Sequence, residues 1–355
     1  MKNFLLLILL ILFSCSGSDN SDNPETPEAE KILEIRGADF SFLPEIRQSG
    51  QTFFNQNNVA EDMLSTFKNA GGNVVRLRLW VNPTTPNSGF SSVKILSQEI
   101  KNMGLKVMIT VHYSDSWADP AHQNKPLAWQ NLSFNDLQTE VYNYTKKIID
   151  EINPEFIQIG NEINNGFLWP EGNIQNSTQF KTLLKSGISA VRNTNPNTKI
   201  ILHYAGISGA QNFYNQFTNL DYDIIGISYY PIWHGKDLNE VQNTLTTISN
   251  TFNKPIFIAE TSYPFTFDWN DQTQNIIGDN SQIIPQFPAT EQGQKEYLAK
   301  IKQIISSVPK GIGFCYWGTE WTAYKGNTAT NGSSYENQAL WNFGNKALPA
   351  MTVFE

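Results

Sequence analysis

Eight short apolar runs, each followed by a longer stretch of different periodicity, constrain how this chain of 355 residues can fold more than any other feature. The runs are 32–40, 73–80, 105–112, 156–160, 199–204, 223–228, 255–260 and 311–317. Between them, helical patterning covers 60–69, 93–103, 134–152, 179–192, 210–217, 238–249 and 291–307. In the third of these, Leu137, Val141, Tyr144, Ile148 and Ile152 recur at three- and four-residue steps, which marks one buried face of a helix. Continuous apolar strands alternating with amphipathic helices predict an α/β protein with a parallel sheet. Eight such units predict a single closed (β/α)8 TIM barrel with extended loops after strands seven and eight. Functional groups are then expected at the C-terminal strand ends. An open doubly wound sheet is the alternative, but no GxGxxG or phosphate-loop pattern accompanies it.

The barrel is expected to occupy 32–355 as one domain, since no second linker, repeat or low-complexity tract interrupts it. Lys plus Arg number 25 against 33 Asp plus Glu, a net charge of −8, which argues against a nucleic-acid partner. Hydrophobic residues make up 40% of the chain, enough for a large core. The nine tryptophans fit either such a core or the stacking of flat rings on sugar C–H faces.

The first residues read as an export signal. Lys2 precedes the apolar run Phe4–Phe13, which is too short to span a bilayer comfortably. The string Leu12-Phe13-Ser14-Cys15 resembles a bacterial lipobox, with Cys15 as the lipid anchor, although Phe13 is an unusual occupant. Residues 1–14 are thus expected to be a lipoprotein-type signal peptide. The polar, acidic, proline-containing 15–31 is expected to be a disordered tether. An ordinary cleaved secretory signal is the alternative. The expected product is an exported monomer, held at the cell envelope by its lipid alone, on the outer-membrane surface. Cys315 is the one other cysteine and reads as a small buried hydrophobe. Two Cys and four scattered His offer no zinc spacing.

Polar residues at strand ends carry the chemistry. Strand four runs into Gly160-Asn161-Glu162 and strand seven into Ala259-Glu260, each placing a carboxylate beyond an apolar run where an unpaired charge is expensive. Singly, either Glu is explained as well by a helix cap or an ion pair. Together, across a barrel mouth, they suit retaining glycoside hydrolysis, which needs two carboxyls roughly 5–5.5 Å apart. In strand two, Arg76 and Arg78 share a face by the two-residue period, and one of them is expected to hold Glu260 ionised. A plain salt bridge at the rim is the alternative for each. His112, Asp115 and Trp117 after strand three read as contacts to sugar hydroxyls and faces. Tyr229 and His234 after strand six, and Trp317 after strand eight, are either packing or platform, with Trp317 expected to form the floor under a bound ring.

The strings RGADFSFLPE at 36–45, VRLRLWVNP at 75–83, VHYSDSWADPAHQNKP at 111–126, GNE at 160–162, AETSYP at 259–264 and ENQALWNF at 336–343 resemble glycoside hydrolase family 53, the arabinogalactan endo-β-1,4-galactanases. The resemblance extends from Ile32 to Glu355. It implies Glu162 as acid/base, Glu260 as nucleophile, and Asn161 as the partner of the sugar 2-hydroxyl. The implied substrate is the galactan of pectin. Some bacterial members bind a structural calcium between the last two strand-end loops. The matching positions here are Asp268, Asn270, Ser333 and Glu336. From the residues alone, a barrel acting on mannan or glucan, and a non-catalytic glycan-binding lipoprotein, remain open as alternatives.

Overall fold

The computed structural model describes residues 31–355. The signal segment, Cys15 and nearly all of the tether therefore lie outside the described residues. Eight parallel strands, β1 (Ile35–Asp39), β2 (Val74–Leu79), β3 (Lys106–Val111), β4 (Phe156–Ile159), β5 (Lys199–Ala205), β6 (Ile224–Ser228), β7 (Ile256–Thr261) and β8 (Gly311–Tyr316), pair in sequence order. β8 pairs back onto β1, closing the barrel. All eight expected runs are strands, with ends that move by up to three residues.

The helices are α1 (Leu43–Gln48), α2 (Met63–Asn69), α3 (Phe90–Asn102), α4 (Phe134–Glu151), α5 (Ser177–Thr194), α6 (Ala210–Asn215), α7 (Pro231–His234), α8 (Leu238–Phe252) and α9 (Glu291–Ser307). The short α1 and α7 are not legible as periodic patterns, because neither is long enough to show an apolar stripe. Side-chain oxygens of Asp62, Ser133, Asp237 and Thr290 accept the free N–H groups at the starts of α2, α4, α8 and α9. On α4, Leu137, Val141 and Ile148 are buried. After β8 a 3-10 turn at Pro349–Phe354 takes the place of an eighth helix, and Phe354 packs its ring on Phe67 and Phe314.

Two apolar layers result. The larger lies between strands and helices. The smaller, Ile35, Val74, Met108, Phe156, Ile201, Ile224, Phe257, Ala259 and Cys315, plugs the barrel interior. Cys315 is fully buried there, as expected from its apolar run. Above this plug the inward positions become polar: Asp39, Arg76, Arg78, Thr110, Gln158, His203 and Ser228 are all buried. The extended loops fall where expected, between Thr261 and Glu291 and between Tyr316 and Pro349. No helix among the described residues is long and apolar enough to cross a membrane.

Candidate active site

A cleft of about 660 Å³ opens at the C-terminal ends of the strands, and both Glu162 and Glu260 line it. Local backbone irregularities aim each of them. Along β7 the two-residue period that puts Phe257 and Ala259 inside would turn Glu260 outward. The β6–β7 register slips at this point: Ile227 pairs with Ile258, but Ser228 pairs with Glu260, so one residue bulges and Glu260 faces the mouth. At the end of β4, Gly160 has φ +84° and Glu162 φ +46°. A Cβ on Gly160 would stand 2.4 Å from Ile163, so glycine alone fits that turn. The left-handed backbone at Glu162 costs about 1–3 kcal/mol and is held by its neighbours. The His203 carbonyl accepts from Ile163 N–H at 3.0 Å, and Gln123 Nε2 donates to the Asn161 carbonyl at 2.9 Å.

Carboxylate oxygens of Glu162 and Glu260 and a ring nitrogen of His203 all lie within 4.8 Å of one another. Arg76 Nη2 donates to Glu260 Oε1 at 2.6 Å, and Tyr230 Oη donates to Oε2 at 2.9 Å. Arg76 also donates to Asp39 Oδ2 (2.9 Å), Gln158 Oε1 (2.7 Å) and Asn161 Oδ1 (3.0 Å), so all three guanidinium nitrogens are engaged. Burial works against that charge, but Glu260 and Asp39 more than offset it and raise its proton affinity.

The two carboxyls are unequal. Burial, then the negative charge of Glu260, pushes Glu162 up to about 8, with Ser228 and Arg76 pulling the other way. Burial also raises Glu260, but Arg76 and Tyr230 oppose it directly. When the pair holds one proton, the guanidinium contact therefore leaves it on Glu162. His203 faces the same space, yet both its nitrogens and both Glu260 oxygens are already engaged, a poor donor set for a metal.

The expected site residues separate into groups. Trp117, Asn161, His112, His234 and Trp317 line the cleft with the two Glu. His112 Nδ1 accepts from Ala118 N–H at 3.0 Å, and His234 Nδ1 from Tyr230 N–H at 3.0 Å. The Arg that holds Glu260 is Arg76. Arg78 instead lies over the rings of Phe42, Trp80 and Trp117, at 4.5, 4.5 and 4.0 Å, with Nε on Ser88 and its head toward the cleft. Asp115 is outside the lining: its carboxylate accepts from Asn82 and Leu127 N–H and shapes the loop. Tyr229 also points away, fully buried and donating to the Gly235 carbonyl at 2.8 Å. Because Ser228 faces inward, the two-residue period brings Tyr230 back to the site and sends Tyr229 out. Asp39, His203, Ser228, Tyr230, Trp321 and Tyr335 escaped the sequence reading, and of these the period from Ser228 signalled Tyr230.

In the last two loops, Asp268 is exposed and Asn270 half-buried, whereas Ser333 and Glu336 are buried. Glu336 Oε1 accepts from the N–H groups of Asn270 (2.6 Å) and Asp271 (3.2 Å). Three nearby oxygens, Asp271 Oδ2, Asn275 Oδ1 and Glu336 Oε2, are buried without a hydrogen-bond partner. A Cβ at Gly332 would fall 2.0 Å from Asp271 Oδ2. Unpartnered hard oxygens of this kind fit calcium chemistry. Asp271 and Asn275 thus join Glu336 as the better-placed donors, legible in sequence only as part of a polar loop.

The model of glycosyl hydrolase family 53 matches residues 35–354. The arabinogalactan endo-β-1,4-galactanase of Cellvibrio japonicus is 34% identical, over 90% of this chain and 90% of its own length. Among solved structures, an Ignisphaera aggregans family 53 catalytic domain superposes with TM-score 0.86 at 37% identity, covering 94% of this chain and 97% of its own. A fungal β-1,4-galactanase structure gives 0.79 at 29% identity, with 91% and 99% covered. A β-1,4-mannanase, at 16% identity and TM-score 0.53, shares the fold alone. A barrel mouth with two opposed carboxyls, in a chain whose residues 35–354 match the family model and 90% or more of which these relatives cover, makes this chain a glycoside hydrolase that belongs to glycosyl hydrolase family 53.

Proposed function

We propose that the protein is a retaining endo-β-1,4-galactanase acting on type I (arabino)galactan, with Glu260 as nucleophile and Glu162 as acid/base. The observation that carries the mechanism is the pair of carboxylate oxygens within 4.8 Å, only one of them held by a guanidinium. Oxygens this close favour direct attack by one carboxylate over attack by an intervening water, for which the carboxyls stand roughly 6.5–9.5 Å apart. Glu260 attacks the anomeric carbon while Glu162 gives its proton to the departing oxygen. The bond to the leaving sugar breaks and a galactosyl ester forms on Glu260. Glu162, now a carboxylate, takes a proton from water, whose oxygen attacks the same carbon and releases Glu260. The galactanase names of the relatives support galactose as the sugar.

Potato galactan, linear mannan and linear glucan, each followed by NMR of the first-formed anomer, test this reading. Release of β-anomeric galacto-oligosaccharides from galactan alone is expected. Inversion at the anomeric carbon would overturn the mechanism, and cleavage of mannan or glucan in its place would overturn the substrate. With an activated leaving group, Glu162→Gln should still form the ester and stall at its hydrolysis, whereas Glu260→Gln fails at the first step. Azide should give the β-azide with Glu162→Ala and the α-azide with Glu260→Ala.

Calcium is proposed as a structural ion tying the two long loops, with Asp271, Asn275 and Glu336 as the core of its oxygen set and Ser333 beside them. When bound it supplies charge neutralisation for buried carboxylates and takes no part in bond cleavage. The lipobox-like Cys15 supports anchoring at the cell surface through lipid.

A further inference from the structure

Two inward side chains at the barrel mouth are left unused by the catalytic reading: His203 on β5 and Ser228 on β6, both fully buried. They join Glu162 through short contacts. Ser228 Oγ is 2.6 Å from Glu162 Oε1 and 2.8 Å from His203 Nε2. His203 Nδ1 is 3.3 Å from Glu162 N–H and 3.2 Å from Asn161 Oδ1.

Counting donors fixes the direction of each bond. Asn161 Nδ2 donates to the Ala118 carbonyl at 2.8 Å, which turns Oδ1 toward Arg76. Arg76 Nη2 and Thr110 Oγ1 then donate to Oδ1 at 3.0 and 3.3 Å, using both its lone pairs. The imidazole has no call to donate there, while among the described residues Glu162 N–H has only His203 Nδ1 as acceptor. Nδ1 is therefore bare and the ring proton sits on Nε2. That proton goes to Ser228 Oγ, and the single Ser228 proton goes to Glu162 Oε1. Burial and the Arg76 charge keep the ring neutral. Among the described residues no group donates to Glu162 Oε2, and Glu162 lines the cleft.

We propose that His203 and Ser228 are positioning residues that maintain a one-way hydrogen-bond chain onto Glu162 Oε1, so that Oε2 alone carries the catalytic proton. The proposal rests on Glu162 being the acid/base. In the first step the Oε2 proton passes to the departing oxygen. In the second, the same oxygen takes a proton from water, and the Ser228 hydroxyl supports the carboxylate in between. Without the chain, the acid proton partitions onto Oε1 and is withheld from the substrate. The charged and titratable groups facing Glu162 are Glu260, Arg76, Asp119, Tyr230, Tyr335 and the His203 ring, which itself neighbours Arg76 and His112. Among the described residues, the hydrogen bond made to Glu162 Oε1 comes from Ser228 and from none of these groups.

The chain has four histidines, so nitrogen-15 histidine labelling of the whole protein gives a spectrum that a His203→Gln variant assigns. The neutral Nε2–H tautomer of His203 is expected from about pH 5 to about pH 8. An Nδ1–H tautomer or an imidazolium in that range overturns the proposal, and the measurement needs no substrate. Activity supplies the second readout. Ser228→Ala takes a donor from the ionised carboxyl, and His203→Leu takes away the donor that fixes the Ser228 proton on it, so the alkaline limb of kcat/KM should move up by about one pH unit in each. kcat should fall about tenfold with KM little changed. The double variant should add nothing, and His203→Gln, with an amide donor, should stay near wild type. A folded Ser228→Ala with an unmoved limb overturns the chain. Wild-type protein inert on galactan instead counts against the proposed function, and the tautomer is still read independently.

Discussion

Replacing Glu162 with Gln should make this protein more stable while removing its activity, and only above acidic pH. The carboxyl is carried from 4.5 to about 8 by burial and by the charge of Glu260. At about 1.36 kcal/mol for each tenfold change in proton affinity, that displacement is worth at most roughly 5 kcal/mol. A carboxyl with a raised folded-state pKa contributes its full stabilisation below the unfolded value of 4.5 and loses it as pH rises through about 8. Wild-type stability should therefore decline across that window. Gln keeps the shape and stays neutral, so the decline disappears. Near pH 5 the two proteins should unfold at similar urea concentrations. Above pH 8 the variant should be ahead by a few kcal/mol, with roughly 5 as the ceiling. Urea titrations at pH 5, 7 and 9 decide the matter. A variant that is no more stable at pH 9 than at pH 5, relative to wild type, would refute the account of Glu162 as a carboxyl kept protonated by its site.

Tyr230→Phe removes a donor from ionised Glu260, so the acidic limb of kcat/KM should move to higher pH and kcat should fall about tenfold, as pH–rate profiles would reveal. If calcium ties the last two loops, EDTA should lower the melting temperature, by the equivalent of roughly 3 kcal/mol when the ion had been at a hundredfold excess over its Kd. Asp271→Asn or Glu336→Gln should blunt that response, and an EDTA-insensitive wild type removes calcium from the account. Wild-type protein should fractionate with membranes and Cys15→Ala should not; continued acylation of the variant would show the anchor to be elsewhere.

Much of the barrel was legible because its rules are local. A period of two or 3.6 residues is set by neighbours in the chain, so eight strands and the long helices could be read in order, and Glu162 and Glu260 fell at strand ends where the fold collects polar groups. Where local periodicity breaks, the sequence was silent or misleading. Extrapolating β7 by alternation hides Glu260, and only its pairing with β6 reveals the bulge that returns it to the mouth. Tyr229 and Tyr230 are one residue apart, and burial against different layers decides which reaches the site. Arg76 and Arg78 share a face, yet one meets carboxylates 37 and 184 residues away while the other is caged by aromatic rings from three separate segments. His203 and Ser228 carry no motif at all; they matter because closing the barrel sets β4, β5 and β6 side by side and brings their inward groups within hydrogen-bond reach of one carboxyl. Apart from the bulge in β7, sequence periodicity determined which residues face the lumen. The tertiary structure decided which of them touch, since a proton's position depends on donors supplied by strands far apart in the chain.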